Sequence, residues 1–375
     1  MNGLRHAPAK SIECNYLFYM IFQARVAYVA ALLLGLACVH GQAAAAALQW
    51  QRVELGTADS RYPFAIYSNK PWQGDMSRVR TAVLVFHGLG RNGDAYYAAA
   101  EKLLLASGKA DETLLLAPNF FNPADEKRQP VGGLPLWQSS RWNYGADAMN
   151  WPRPLSSFQP IDDVLSLFAD RARFPKLESV VLAGHSGGGQ LVHRYSVLNA
   201  VDETLRAAGI RPRYIIANPS SFLYFTPERP IANGAGFAPY ELSRCPNYDV
   251  YRYGMDKLPS YAGGLSAQAL FQRYAGREVA VLLGGADNNP NHAELDKTCG
   301  AQAGGSNRLE RGRNYIRYER YLAKTGMTLN RQAYEVIAVG HSQGRMFGSK
   351  CGARLLFGLA EEANAAGSAC REPQL

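Results

Sequence analysis

Two stretches of the chain have the residue types and spacing of a nucleophilic serine: Gly184-His185-Ser186-Gly187-Gly188 and Gly340-His341-Ser342-Gln343-Gly344. In G-x-S-x-G the small flanking residues let the serine stand on a sharp turn from a strand into a helix. There its Oγ is exposed, and helix N-terminal amides face the charge that develops on an attacked carbonyl. The first stretch follows the buried-strand run Val180-Val181-Leu182-Ala183 and opens a helical pattern, so it has that context. A serine nucleophile also requires a histidine base, itself oriented by a carboxylate. On such a turn the partners follow in the order serine, acid, histidine. No histidine follows Ser342, whereas His193, His292 and His341 follow Ser186. The pattern therefore points to acyl transfer at Ser186, with Ser342 only a neighbour of the base.

His193 lies on the helix leaving the turn, which carries it away from Oγ. His292 sits in a Pro- and Asn-rich loop. His341 ends the last predicted strand, at the sheet edge that presents Ser186, and is the expected base ahead of His292. The acid should end the penultimate strand, where Val279-Ala280-Val281-Leu282-Leu283-Gly284-Gly285-Ala286 delivers Asp287; Glu294 and Asp296 are rivals. Asp287-Asn288-Asn289-Pro290 is also turn-prone, which is compatible with that role. The oxyanion amides are expected from Gly187, directly after the nucleophile, and from Leu89 in His87-Gly88-Leu89-Gly90 after the first long strand. His87 reads as a structural residue at a strand end.

These residues need a scaffold that brings distant loops to one edge. Short apolar runs at Thr81–His87, Thr113–Pro118, Ser179–Gly184, Arg213–Asn218, Glu278–Leu283 and Ala333–Val339 predict strands buried on both faces. Helical patterns alternate with them near Asp94–Ala106, Ile161–Ala172, Gly188–Ala208, Ala267–Tyr274, Asn307–Lys324 and Lys350–Ala363. This βαβ repetition gives an α/β class, a mostly parallel doubly wound sheet flanked by helices, with antiparallel edge strands from residues 48–70. Residues 44–375 are expected to form one domain. Two long connections, near 119–157 and 221–266, read as insertions that could form a lid or cleft wall. Trp137, Trp142 and Trp151 fall in the first and are candidate substrate-binding rings, or else anchors of the insertion to the core.

The order strand–HG-x-G, strand–G-H-S-G-G, strand–Asp, strand–G-H resembles the α/β-hydrolase superfamily across roughly residues 50–365. More locally, Gly184–Gln190, Ala217-Asn218-Pro219-Ser220-Ser221, Asn307-Arg308-Leu309-Glu310-Arg311-Gly312 and Val339-Gly340-His341 through Met346-Phe347 resemble a group of exported microbial hydrolases. That group is distantly similar to polyhydroxyalkanoate depolymerases and secreted esterases. The resemblance implies serine-dependent ester hydrolysis with no cofactor and no metal, on a small-molecule or polymeric ester. A polyester depolymerase is one alternative; a non-catalytic ligand-binding protein on the same fold is another.

Composition sets the outer bounds. The 375 residues are 47 % hydrophobic and 19 % charged, which excludes wholesale disorder and fibrous repeats. Val26–Val39 is an apolar run preceded by Arg25 and followed by small residues. It is shorter than the ~20 residues a membrane span needs and reads as a secretory signal over 1–43, with translation starting at Met20. Cys38 allows a lipoprotein anchor, and the apolar Tyr16–Phe22 allows an uncleaved one. A periplasmic or secreted protein with no stable membrane span after signal removal is expected. Without residues 1–43, which carry Arg5, Lys10, Arg25 and Glu13, the formal charge of +9 falls to +7. The remaining charges are scattered. The densest stretch, Arg308–Lys324, has the periodicity of a helix with a solvated arginine face, and no basic arm or zinc-finger spacing supports a nucleic-acid partner. Cys245, Cys299, Cys351 and Cys370 permit two disulfides or free thiols. Cys351–Cys370 is the disfavoured pairing: a helix from Cys351 to about Ala363 would carry the chain roughly 18 Å away, beyond the ~7 Å that a bridge allows.

Overall fold

Runs of apolar residues that cannot leave one face wet demand cover on both sides, and the sheet is built that way. The computed structural model describes residues 48–231, 236–324 and 326–375. The expected signal over 1–43, the start at Met20 and the anchors at Cys38 or Tyr16–Phe22 lie outside them. Among the described residues, nine strands form one sheet. In chain order they are β1 (Gln51–Leu55), β2 (Tyr62–Ser68), β3 (Thr81–Phe86), β4 (Thr113–Pro118), β5 (Ser179–His185), β6 (Arg211–Ala217), β9 (Glu278–Gly284), β10 (Arg331–Val336) and β11 (Cys370–Arg371). A separate antiparallel pair, β7 (Glu228–Pro230) and β8 (Phe237–Pro239), lies in the second insertion. The spatial order is β1-β2-β4-β3-β5-β6-β9-β10-β11. The six strands from β4 to β10 are parallel, and β1, β2 and β11 add antiparallel edges.

Alternate side chains of each central strand enter different cores. Leu84, Leu182, Ile216 and Val281 join the core under α2 (Gln159–Phe168), α3 (Gly187–Leu198), α5 (Ala267–Ala275) and α7 (Arg308–Ala323), which follows the short α6 (Cys299–Gln302). Val85, Val181, Ile215 and Leu282 join the opposite core under α1 (Gly93–Ala106) and α9 (Lys350–Phe357). The long helix expected over 188–208 is two: α3 ends before Asn199, whose Oδ1 accepts from the Asp202 amide as α4 (Val201–Ala207) begins. Gln49–Leu375 form one compact unit. Among the described residues no helix is long and apolar enough to cross a membrane.

Two expectations are corrected. The helix from Lys350 stops at Phe357, because Gly358 takes a left-handed conformation (φ 63°). The chain then turns back: Lys350 donates its amide to the Ser368 carbonyl, and Cys370 pairs with Val336 across β10 and β11. Cys351 and Cys370 come within 6.0 Å between Cα atoms and are disulfide-bonded, as are Cys245 and Cys299. The pairing disfavoured on helix length is therefore present. The basic helix α7 is a solvated arginine face only in part: Arg320 is exposed and Arg313 and Arg317 are half-buried. Arg308 and Arg311 are 1 % exposed, on the side turned toward the sheet edge.

Closing the 19-residue separation of Cys351 and Cys370 removes chain entropy from the unfolded state, which by loop size is worth about 3 kcal/mol. The Cys351→Ala/Cys370→Ala variant is expected to unfold at a correspondingly lower denaturant midpoint than the oxidised protein. An unchanged midpoint would refute that contribution.

Candidate active site

The turn after β5 is held in a conformation that its backbone contacts enforce. Ser186 has φ 59° and ψ −117°, a region that costs a non-glycine residue about 1–3 kcal/mol. Its amide donates to the Ala217 carbonyl at 2.9 Å, and its carbonyl accepts from the Gln190 amide at 3.0 Å. The glycines answer to contact. A Cβ at Gly184 would meet the Gly188 carbonyl oxygen at 2.1 Å, and one at Gly188 would meet the Phe86 carbonyl oxygen at 2.2 Å. Ser342 has no such turn: it precedes α8 (Gln343–Phe347) in extended backbone with φ −138°.

Strand ends at the same edge deliver the partners. His341 Nε2 lies 2.9 Å from Ser186 Oγ, and His341 Nδ1 lies 2.7 Å from Asp287 Oδ2. With Nδ1–H donated to the carboxylate, Nε2 accepts the serine hydroxyl. Ser186 and Asp287 are buried to 4 % and 3 % exposure. Asn218, at the end of β6 with φ 45°, braces this edge: its Oδ1 accepts from the Gly284 amide at 2.6 Å, and its Nδ2 donates to the Gly340 carbonyl at 3.4 Å. The rivals sit elsewhere. His193 is buried and accepts from the Leu223 amide. His292 stands with its ring 5.0 Å from that of His341, its Nδ1 accepting from the Glu294 amide. Asp296 is engaged by Arg252 and Tyr253, and Glu294 is exposed.

Leu89 and Gly187 face each other beside the serine. A Cβ on Gly187 would lie 3.3 Å from the Leu89 amide nitrogen, and one on Gly88 would lie 3.6 Å from Ser186 Cβ. Gly187 opens α3, where N–H groups have no intrahelical acceptor. Arg91 steadies the Leu89 loop by donating to the Leu89 carbonyl at 2.9 Å while its Nε holds Asp125 at 2.7 Å. His87 is structural: Nδ1–H donates to the Gly88 carbonyl at 2.9 Å, and Nε2 accepts from the Phe120 amide at 2.9 Å. Burial pulls its pKa down to about 4. Burial likewise drives His185 well below the ordinary histidine range, with the neighbouring His341 and Arg308 charges adding to the effect. A cavity of about 300 Å³ beside Leu89 is bounded by Asn143, Gln190, Ser220, Arg252 and Glu294. Among the described residues, no group of three His, Cys, Asp or Glu side chains is placed to hold a metal ion.

The tryptophans are packed inward. Trp137 and Trp142 are fully buried, and Trp142 stacks on Phe120 with centroids 5.5 Å apart. Trp151 is half-buried, edge-on to Tyr62. Trp137 and Trp142 therefore form no exposed wall, because tertiary packing uses them to fasten residues 119–157 to the core. Trp142 does approach the site from within: a Cβ on Gly187 would lie 3.3 Å from its ring.

Three positioning residues escaped the sequence reading. Asn218 and Ser220 lie in the Asn-Pro-Ser-Ser segment, whose resemblance marked it without giving it a role. Arg194, fully buried on α3, bonds the Asn143 and Arg252 carbonyls and Ser221 Oγ, so it ties both insertions to the helix that follows the serine. Nothing in its charge pattern separates it from a surface arginine.

No protein-family model matches the sequence, and no curated relative does. Solved structures do match. Poly(aspartic acid) hydrolase-1 from Sphingomonas sp. KT-1 is 22 % identical at a TM-score of 0.57, covering 82 % of this chain and 98 % of its own. A poly(3-hydroxybutyrate) depolymerase from Bordetella parapertussis is 22 % identical at 0.56, covering 84 % and 94 %. The chain has the α/β-hydrolase fold that the order of its motifs suggested.

His87 titrates near pH 4 when folded against an ordinary histidine value of 6.5, so the folded state resists its protonation. Its contribution to stability is complete above about pH 6.5 and is lost as the pH falls toward 4, by about 3 kcal/mol in all. The stability gap between wild type and His87→Gln, read from denaturant unfolding, is expected to narrow by that amount over this interval. A gap independent of pH would contradict the buried neutral imidazole.

Proposed function

We propose that the protein is an exported serine hydrolase that cleaves carboxylic esters through an acyl-enzyme. The observation that carries this function is the unbroken hydrogen-bonded line from Asp287 through His341 to a serine on a strained strand-to-helix turn. In the proposed reaction Ser186 Oγ attacks the ester carbonyl as His341 Nε2 takes its proton. Asp287 holds the imidazole tautomer and stabilises the imidazolium without taking the proton itself. The Gly187 and Leu89 amides receive the oxyanion, each worth about 3 kcal/mol of transition-state stabilisation. The imidazolium protonates the leaving alcohol, and a water activated by the same histidine releases the acid. Every proton moves between Ser186, His341, substrate and water, so this cycle needs no cofactor or metal.

Export is supported by the two disulfides, which persist in oxidising compartments, and by the signal-like pattern of residues 1–43. An exported protein of this kind would act in the periplasm or outside the cell. Soluble esters are the first choice of substrate, because Trp137 and Trp142 are packed into the core. A polyester substrate is the second possibility, kept in view by the fold shared with a depolymerase, but it lacks the exposed tryptophan platform that would favour it.

A fluorophosphonate probe and a series of aryl esters of graded acyl length test the proposal together. Wild type is expected to take up the probe and to turn over the shorter esters, while Ser186→Ala loses labelling and at least about a thousandfold in kcat. Equal labelling of Ser186→Ala would remove Ser186 from its role. Faster release of acid from a polyester film than from any soluble ester would shift the substrate to the polymer. A folded wild type inert to probe and esters alike would leave a binding protein on a hydrolase fold.

A further inference from the structure

Arg308 opens α7 with its side chain 1 % exposed, in an environment where an arginine costs several kcal/mol unless its charge is met. Its bonds lead to the edge that carries the reacting groups. Nη1 donates to Asp287 Oδ1 at 3.4 Å, and Nε donates to Ser220 Oγ at 3.0 Å. The next residue of the helix, Leu309, donates its amide to the Asp287 carbonyl at 3.1 Å. Asp287 is thus gripped twice by the first turn of α7, once through its backbone and once through the carboxylate oxygen that His341 does not use. Its other oxygen faces His341 Nδ1 at 2.7 Å.

We infer that Arg308 is a fourth member of the proton-transfer line, a positioning residue that fixes the Asp287 carboxylate and tempers its pull on the His341 imidazolium. This role rests on the ester-hydrolase function proposed above. A carboxylate bonded on one side only can rotate and leave the imidazole misdirected. Bonded on both oxygens, it holds Nδ1, and therefore Nε2, in line with Ser186 Oγ. The guanidinium charge also opposes a second positive charge nearby. Its influence already reaches the two other imidazoles of the cluster, lowering the pKa of both His185 and His292, in each case after burial as the larger cause. Burial lowers the pKa of Arg308 itself, and Asp287 raises it back in part.

The groups around His341 are few. Asp287 comes from the β9 end, Ser186 and His185 from the turn, His292 from the loop after Asp287, and Arg308 from α7. Tyr96 bonds His185, Glu294 lies near Arg308 and His292, and Arg345 of α8 bonds the Ala338 carbonyl. Of the cations among them, Arg308 is the one bonded to Asp287.

The test is the pH profile of kcat/KM on a soluble aryl ester for wild type, Arg308→Gln and Arg308→Lys. Without the cation the imidazolium is opposed less, so the acid limb of Arg308→Gln is expected to move to higher pH. Loss of the carboxylate's second bond should lower kcat roughly tenfold to a hundredfold, with KM within about twofold of wild type. Arg308→Lys, which keeps the charge but loses the fork, should return the acid limb to its wild-type position while kcat stays low. A merely structural arginine would lower stability and leave the limb where it was. A folded Arg308→Gln with an unmoved limb, or with a raised KM and an intact kcat, overturns the inference alone. A wild type without esterase activity or probe uptake overturns the ester-hydrolase function and this role with it. If Arg308→Gln does not fold, Ser220→Ala, which releases Nε of the guanidinium, carries the test. A severalfold fall in kcat at constant KM supports the role, and an unchanged kcat overturns it.

Discussion

Backbone against backbone, at a distance that admits no Cβ, is the constraint on which the site depends. The first turn of α3 presses onto the ends of β3 and β6, with Gly188 against the Phe86 carbonyl and Gly189 near that of Ala217. Only this approach lets a seven-residue strand pass into a helix in one residue, and that residue must then take a left-handed φ. The strain is local, and the surrounding ladder offsets it. β5 is paired along its length with β3 on one side and β6 on the other, so the serine cannot relax without breaking registered hydrogen bonds. The same closeness brings the Leu89 loop to the start of α3.

Around that point, charge is placed where a surface pattern would not put it. The buried Arg194 and Arg308 and the half-buried Arg91 each bond loop carbonyls or carboxylates at the sheet edge. An arginine suits this task because its planar, always-charged fork makes several directed bonds at once. A helix bundle would not need them. In a parallel sheet the strand ends are loops, and loops have unpaired backbone groups that something must hold.

How much of this was legible follows from which features are local. Continuous apolar runs such as Ala82–Phe86 and Val279–Leu283 predict strands that the structure places within a residue or two, because burial on both faces leaves no alternative. The order of Ser186, Asp287 and His341 along the chain was equally plain, and the parallel topology puts all three strand ends at one edge. Propensity argues against the Cys351–Cys370 bond because it continues a helix that one residue, Gly358, ends. The burial of Arg308, Arg311, Trp137 and Trp142 was hidden for another reason. Charge and aromaticity are properties of a residue, whereas burial is a property of what folds over it. The long insertions hid most, since their conformation is set by distant anchors such as Arg194.

The spacing of the three side chains has a kinetic consequence. Ser186 and His341 are 155 positions apart, and His341 and Asp287 are 54 apart, so the line closes only after contacts among the most distant in the chain have formed. Such contacts come late, because loop closure must be met before they give anything in return. β10, which leads to His341, joins the sheet through β9 and is itself covered by β11, formed by Cys370 and Arg371 near the C-terminus. Until β10 has joined the sheet, Ser186 therefore stands without the imidazole that faces it in the folded chain.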